Sequence, residues 1–387
     1  MRVICTGTSG TERVGFLHDV ARLATGRGQP VEIFDLREAM FQIAADVGEP
    51  VSEETILDMF PRALVLLRAA ALEKIASVCE QASRHPNWII NTHAVFRWKN
   101  TLISGFDPYY LNRLKPDLYV TITSGVQTVR DRLREHPRWQ HQTLEDLLVW
   151  REEEQFSTEE MARTQRKPTF LLGRSASVET LYRLIFEPSR RKVYLAYPMA
   201  HVEAGFERGL VRFKQRLEED FVVFDPSDVN DFAVERGPLD AAEPAQEAPI
   251  TRLSDGTAQL AEARDSGVAE APGLSERELV HIADQIVYRD YKLISQADLV
   301  VVFYDVAVPS PGVVSEMNFA MHSGKRVYGV WLPETEPSPF FTRYCTRCFR
   351  SEDELFQHFR RYRVSKPRTE PLSGRRGLRA LGGRAGR

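Results

Sequence analysis

No stretch of this 387-residue chain runs uninterrupted in apolar side chains for the ~18 positions that a membrane-spanning helix needs. Membrane association is therefore not expected. Cysteine is scarce, with four in the whole sequence, which argues against a disulfide scaffold. Cys345 and Cys348 form one C-x-x-C, but Cys5 and Cys79 are isolated and offer no second pair for a four-ligand zinc site. Two ordinary thiols and no metal are expected. A dominant charge is also missing. A net charge of −3 gives the chain as a whole no polyanion-binding character, and nucleic acid is not an expected partner. Met1-Arg2-Val3-Ile4-Cys5 enters a strand without the charged, apolar and small-residue zones of a signal peptide, so the expected location is cytoplasmic.

What is present is the composition of a globular protein able to bury substantial cores, 43% hydrophobic and 27% charged. The length suggests two or three domains of ~150 residues. Short apolar runs at Val3–Thr6, Trp88–Asn91, Leu118–Thr123 and Thr169–Leu172 read as buried parallel strands. Helical patterns alternate with them at Val14–Thr25, around Glu53–Ala82, and at Val126–Glu135, Leu144–Arg163 and Val178–Phe186. The pattern then restarts, with strands at Lys192–Tyr197, Phe221–Phe224, Leu299–Tyr304 and Val327–Trp331. Helices are expected over Val202–Glu218, Glu276–Ile294 and Val313–His322. Strands joined by helical crossovers mean an α/β protein. Two consecutive parallel-sheet domains are therefore expected, at 1–187 and 192–335. The Ala-, Glu-, Asp-, Pro- and Gly-rich stretch 234–273 reads as a mobile insertion in the second. An extension at 336–365 and a basic, disordered tail at 366–387 complete the expected organisation.

The most informative polar residues are acidic ones in the second domain. Asp290 falls late in the Glu276–Ile294 helix and Asp298 just precedes the next strand. Glu316 sits on the helix that follows a loop rich in Pro, Ser and Gly, Asp305–Gly312. Ligands of open parallel sheets bind outside the carboxyl ends of the strands, where such a loop lets a substrate approach the backbone. A glutamate in the first turn of that helix would be kept ionised by the positive end of the dipole. Such a carboxylate can attack an anomeric carbon. Acidic residues at helix starts are equally ordinary caps, and Asp298 could simply end the preceding helix. Pattern alone leaves both readings open.

Four ordered segments carry a resemblance. They are Tyr194-Leu195-Ala196-Tyr197-Pro198, Ser295-Gln296-Ala297-Asp298-Leu299-Val300-Val301-Val302, Gly312-Val313-Val314-Ser315-Glu316-Met317-Asn318-Phe319-Ala320 and His322-Ser323-Gly324-Lys325-Arg326-Val327. They resemble the opening strand, the helix-to-strand segment, the nucleophile helix and the last turn of the nucleoside 2-deoxyribosyltransferase family. The resemblance implies a flavodoxin/Rossmann-like domain in which Glu316 is the nucleophile and forms a covalent deoxyribosyl intermediate. It implies that Asp290 assists as proton donor or sugar ligand and that Tyr197 lines the pocket, and Asp298 is counted among the substrate-binding residues beside them. No cofactor is implied for the glycosidic chemistry. A homo-oligomer is implied, because this family often completes its pocket with a neighbouring subunit.

Transferases of the family carry an aspartate where Ser310 stands. Pro309-Ser310-Pro311-Gly312-Val313 instead resembles the related 2′-deoxynucleoside 5′-phosphate N-hydrolases, whose serine binds a 5′-phosphate. The physics agrees: a carboxylate repels a phosphate, while a hydroxyl and helix N–H groups attract it. Ser310 and Gly312 are thus expected at a phosphate. Met199-Ala200-His201, after the first strand, is not the glycine-rich cradle that the family places there.

In the first domain Gly7-Thr8-Ser9-Gly10-Thr11-Glu12-Arg13-Val14 follows a strand and opens a helix, the location of a phosphate-binding loop. Glu12, Arg13 and Val14 replace the last glycine, the lysine and the hydroxyl residue of G-x-x-x-x-G-K-[ST]. Beyond it, Asn91-Thr92-His93-Ala94, Pro116-Asp117-Leu118-Tyr119-Val120 and the run Arg130, Arg132, Arg134 and Arg138 resemble an adenylate kinase of the archaeal type. The resemblance implies a degenerate P-loop kinase-like domain. Asn91 stands where that family has an acidic residue, which leaves Mg²⁺ few supports, and phosphoryl transfer relies on the metal. ATP or another nucleotide is the implied ligand, held at Gly7, Gly10 and Arg13. A surface arginine at a helix start is the plain alternative for Arg13.

The expected whole is a two-domain enzyme that hydrolyses, or transfers from, the N-glycosidic bond of a nucleoside 5′-monophosphate. Competing expectations are a non-catalytic nucleotide-binding protein and a nucleotide kinase joined to an N-glycosidase.

Overall fold

The computed structural model describes residues 1–81, 87–98, 101–199, 204–231, 275–362 and 364. The stretches 234–273 and 366–387, with Ala200 and His201, lie outside the described residues. The first half runs β1 (Arg2–Thr6), α1 (Arg13–Gly26), β2 (Glu32–Asp35), α2 (Leu36–Asp46), α3 (Pro61–Glu80) and β3 (Trp88–Asn91). A hairpin of β4 (Val95–Trp98) and β5 (Thr101–Ser104) follows, then α4 (Pro108–Leu114), β6 (Leu118–Thr123), α5 (Val126–Arg134), α6 (Leu144–Thr164), β7 (Thr169–Gly173) and α7 (Val178–Phe186). The second half begins with β8 (Lys192–Ala196), α8 (Ala204–Glu218), β9 (Val222–Phe224), α9 (Glu276–Gln296) and β10 (Leu299–Tyr304). It ends with α10 (Pro311–His322), β11 (Arg326–Trp331), α11 (Pro339–Tyr344), β12 (Arg347–Phe349) and α12 (Glu352–Tyr362).

Two five-stranded parallel sheets result, ordered β2-β3-β1-β6-β7 and β12-β11-β10-β8-β9. This is the two-domain α/β architecture that the strand–helix alternation predicts. The long buried strands were the legible ones: β6 and β10 are buried at all six positions each. β2 and α2 were not, because every residue of the edge strand β2 is only half-buried. Asp35 ends that strand and caps α2, accepting from the Arg37 and Glu38 amides. The helix expected around Glu53–Ala82 starts only at Pro61, where a proline suits the first helical position. The second sheet also runs past 335: β12 pairs with β11, and α12 buries Leu355, Phe356 and Phe359 in the same core. Among the described residues no helix is long and apolar enough to cross a membrane.

The two sheets share a core. One apolar cluster takes in Ile122, Leu172 and Leu181 from the first half and Tyr194, Phe224 and Ile294 from the second. Gln296 reaches the edge strand β7, donating to the Leu171 carbonyl at 2.8 Å and accepting from its amide at 2.9 Å. Backbone groups that a sheet edge would leave open are thereby satisfied. The segment after β9 is wedged between two glycines. A Cβ on Gly125 would stand 1.8 Å from the Asn230 carbonyl oxygen, and one on Gly173 2.4 Å from that of Asp228. Gly125→Ala is expected to loosen this docking at a cost of about 1–3 kcal/mol. Thermal unfolding should then start several degrees lower. Gly15→Ala, whose Cβ would meet nothing within 4 Å, is the control that leaves the transition in place or raises it.

Candidate active site

Tyr194 on β8 and Glu316 on α10 meet on one face of the second sheet, where the phenol donates to Glu316 Oε1 at 2.8 Å. Oε2 is sealed from solvent and has no hydrogen-bond partner among the described residues. Because α10 begins at Pro311 and is capped by Ser310, Glu316 lies in its second turn, not its first. The help expected from the helix dipole fades beyond the first turn. Burial dominates instead, and with the Asp290 charge it pushes the Glu316 carboxyl well above the usual carboxylate range; Tyr194 and Arg289 pull less strongly the other way. The helix-dipole support expected from sequence is therefore corrected, and burial acts against the ionised form of Glu316.

Asp290 on α9 is 6% exposed. Burial raises its pKa too, joined by the Asp231 and Asp225 charges, although Arg289 opposes them. Arg289 reaches Asp290 Oδ1 at 3.2 Å from Nε and 3.1 Å from Nη2. The same guanidinium donates through Nη1 to Asp231 Oδ2 at 2.9 Å and to the Val229 carbonyl at 3.0 Å. The Asp290 charge thus disfavours ionisation of Glu316, and carboxyls coupled in this way titrate as a pair.

The remaining residues expected in the pocket are divided. Ser310 caps α10, its Oγ accepting from the Val313 amide at 3.4 Å. Its own amide donates to the Tyr304 phenol at 2.6 Å, and that phenol donates to the Val308 carbonyl at 2.7 Å, which braces the loop. Gly312 is exposed in the first turn of α10. Tyr197 is turned to other partners: its phenol donates to Asp225 Oδ1 at 2.8 Å, and Lys214 holds the other oxygen of that carboxylate at 2.7 Å. Asp298 lies at the amino end of β10, where its exposed carboxylate accepts from the Lys192 amide at 2.7 Å. Substrates of parallel sheets bind at the opposite, carboxyl ends, so its assignment to the pocket is corrected. Tyr194 was the missed partner. Side chains alternate along a strand, so Tyr194 and Ala196 face the core containing Val313 and Met317 of α10, while Leu195 and Tyr197 face the other.

In the first domain the loop Gly7–Arg13 is filled by the protein itself. Arg13, 6% exposed, donates through Nε to Asn91 Oδ1 at 2.6 Å, through Nη1 to the Thr8 carbonyl at 2.9 Å, and through Nη2 to the Thr92 carbonyl at 3.0 Å. A guanidinium so committed cannot serve a phosphate without breaking these bonds, and the expectation of a phosphate on Arg13 is corrected. Glu154 on α6 takes the Gly7 amide at 2.9 Å, together with the Ala94 and Val95 amides at 2.9 and 2.8 Å. Gly7 is required there, since a Cβ would stand 2.4 Å from the Ile122 carbonyl oxygen. Gly10, at φ 80°, gives its carbonyl to Arg132 at 3.1 Å.

Beside the filled loop opens a cavity of about 350 Å³ lined by Arg37, Arg68, His93, Phe96, Arg132 and Trp139 among others. Arg68 is 6% exposed and, among the described residues, donates only to the Ser104 carbonyl. No carboxylate among the described residues forms an ion pair with it. Among the described residues His93 Nδ1 is buried without a hydrogen-bond partner, Glu154 Oε1 standing 3.8 Å away. Burial, then the Arg13, Arg68 and Arg37 charges, hold this imidazole well below its usual pKa and hence neutral. Of these, only His93 and Arg132 belong to the sequence motifs; Arg37 and Arg68 sit on helices whose polar faces carry no motif. Among the described residues no three His, Cys, Asp or Glu side chains gather to hold a metal ion.

No family model matches the chain, and no curated protein matches it significantly. Among solved structures, a conserved protein from Enterococcus faecalis V583 is similar at 12% identity and a TM-score of 0.27, covering 44% of this chain and 98% of that one. The CMP N-glycosidase BcmB of Clostridium botulinum is similar at 16% identity and a TM-score of 0.24, covering 44% of this chain and 99% of that one. Likeness at this level carries no argument about chemistry, which rests on the side chains.

Proposed function

We propose that the second domain cleaves the N-glycosidic bond of a nucleoside 5′-monophosphate, with Glu316 as nucleophile and Asp290 as its acid–base partner. The observation that carries this reading is the buried Glu316 carboxyl, with one oxygen held by Tyr194 and the other sealed and unpartnered beside a second buried carboxyl. The free Oε2 attacks C1′, and the bond to the base breaks with its electron pair leaving on the base. The proton shared by the pair must then sit on Asp290, from which it passes to the departing base. Water, deprotonated by Asp290, displaces Glu316 from C1′ in the second step and releases the sugar phosphate. In a dry site the charged carboxylate meets the positive charge developing at C1′ with little screening. The Ser310 hydroxyl and the first turn of α10 are the groups for the 5′-phosphate.

The active form carries one proton on the pair, so base release should follow a bell-shaped pH profile. Since both carboxyls are raised by burial, the acid limb of kcat should lie above the ordinary carboxylate range. An acid limb at the usual position would count against the buried pair as the working groups. The decisive experiment is chromatography of free bases after incubation with a panel of nucleosides, nucleotides and NAD. One base released, and lost in Glu316→Gln, supports the reading; no release from any candidate overturns it.

For the first domain we propose binding without phosphoryl transfer. The self-filled loop supports the loss of transfer, and the buried, uncompensated Arg68 supports an anionic ligand in the adjoining cavity. A nucleotide is the class that both halves would share.

A further inference from the structure

We propose that the first domain supplies a positioning residue to the carboxyl pair of the second: Arg151, acting through Asp231 and Arg289, sets where Asp290 stands and how it titrates. Its consequence for turnover rests on the glycosidase reading; its geometry does not.

Arg151 projects from α6. Its Nη1 binds Asp231 Oδ1 at 2.5 Å, and its Nε and Nη2 bind Gln285 Oε1, on α9, at 3.0 and 2.5 Å. The Asp231 side chain is 0% exposed, and its other oxygen binds Arg289, which in turn holds Asp290. Charges alternate along this ladder from Arg151 to Asp290. It is buried or nearly so throughout, where such interactions are little screened. Asp231 also accepts from the Val126 amide at 2.9 Å. It thereby caps α5, to which Gly125 offers no side chain of its own. One turn along α6 from Arg151, on the same helix stripe, Glu154 holds the Gly7 loop beside the cavity. A single helix thus holds the loop of one candidate site and the Asp231 rung that stands behind the other.

A buried aspartate between two arginines divides its charge between them. Without Arg151, Asp231 depends on Arg289, whose guanidinium is drawn away from Asp290, and Asp290 keeps its proton more tightly. Without the Asp231 charge, Arg289 serves Asp290 alone, and Asp290 gives up its proton more easily. The charged and titratable groups facing the pair are Tyr194 from β8, Arg289 from α9 and Asp225 and Asp231 from the segment after β9. Arg151 stands behind Asp231. Removing Arg151 and removing Asp231 therefore act in opposite directions.

The test compares Arg151→Met, Arg151→Lys and Asp231→Asn in the full chain. One readout is the pH profile of base release. A second, independent of turnover, is the carboxyl titration seen by difference infrared spectroscopy, with Glu316→Gln and Asp290→Asn to assign the bands. The midpoints should move alkaline in Arg151→Met and acid in Asp231→Asn, each by on the order of one pH unit. Arg151→Lys should return most of the wild-type profile. Shifts of one common sign, or a loss of rate with unmoved midpoints, would overturn the proposal. If Arg151→Met does not fold, the sign of the Asp231→Asn shift decides alone. Midpoints that move oppositely in a protein releasing no base would sink the glycosidase reading and leave the ladder standing.

Discussion

Glu316→Gln is expected to abolish base release and, above the ordinary carboxylate range, to make the protein more stable than the wild type. The amide keeps the shape and the Tyr194 contact but cannot form the ester at C1′, so turnover should fall by at least about 10³-fold. Stability follows from the raised pKa. Below about pH 4, the value of an unfolded glutamate, both states are protonated and burial of Glu316 costs no charge. As pH rises toward the raised folded pKa, the unfolded chain ionises while the folded one does not, and the wild type loses stability. The glutamine variant has no such loss. Its advantage should open above the ordinary glutamate pKa, grow with pH, and level off once the folded pKa is passed. Each kcal/mol gained raises Tm by about 2–4 °C in a domain of this size. Melting curves from acid to alkaline pH test this. A gap that does not depend on pH would show that Glu316 is not held protonated, and unchanged turnover would remove it from the mechanism. Stability lost to a buried carboxyl with one oxygen left unpartnered is what a reactive site costs and a structural one avoids.

The architecture was legible where burial is two-sided. β6, β10 and their neighbours are unbroken apolar runs, and the crossovers between them could only make parallel sheets. β2 was invisible because it lies at an edge, and β12 because three residues, Arg347–Phe349, give too short a run. At the candidate site, Glu316 and Asp290 are named by the resemblance, pattern alone leaving their roles open, but how they titrate is not legible in the sequence. It depends on what buries them, and Tyr194, Arg289 and Asp231 come from three separate segments. Tyr194 was within reach: alternation along β8 already separates it from Tyr197, given which face α10 covers. Arg13 shows the converse limit. Its place at the helix start was correctly read, yet a phosphate ligand and an internal plug demand the same charge at the same position, and only the acceptors Asn91, Thr8 and Thr92 distinguish them.

Arg68→Met is expected to stabilise the unliganded protein and to cost most of its affinity for an anion. Burial alone depresses the Arg68 pKa, with only Asp107 acting against it at a distance. A charge so placed, without an ion-pair partner among the described residues, is destabilising until a ligand neutralises it. Methionine fills the same space among Leu64, Phe96 and the other apolar walls of the cavity without that penalty. The one hydrogen bond given up is to the Ser104 carbonyl, in an exposed residue of the hairpin, where water can replace it. With ligand present the order reverses. A charge-assisted hydrogen bond contributes about 1.5–3 kcal/mol, so affinity should fall about 10- to 100-fold. A nucleoside monophosphate at 100 times its Kd should add about 2.7 kcal/mol to the wild type and far less to the variant. Calorimetry and melting curves with inorganic phosphate and a series of monophosphates separate the two halves of the claim. Gain without ligand and loss with it would mark the cavity as a site built to stay unsatisfied until filled. A variant that is less stable in both conditions would make Arg68 a structural residue and the cavity an incidental void.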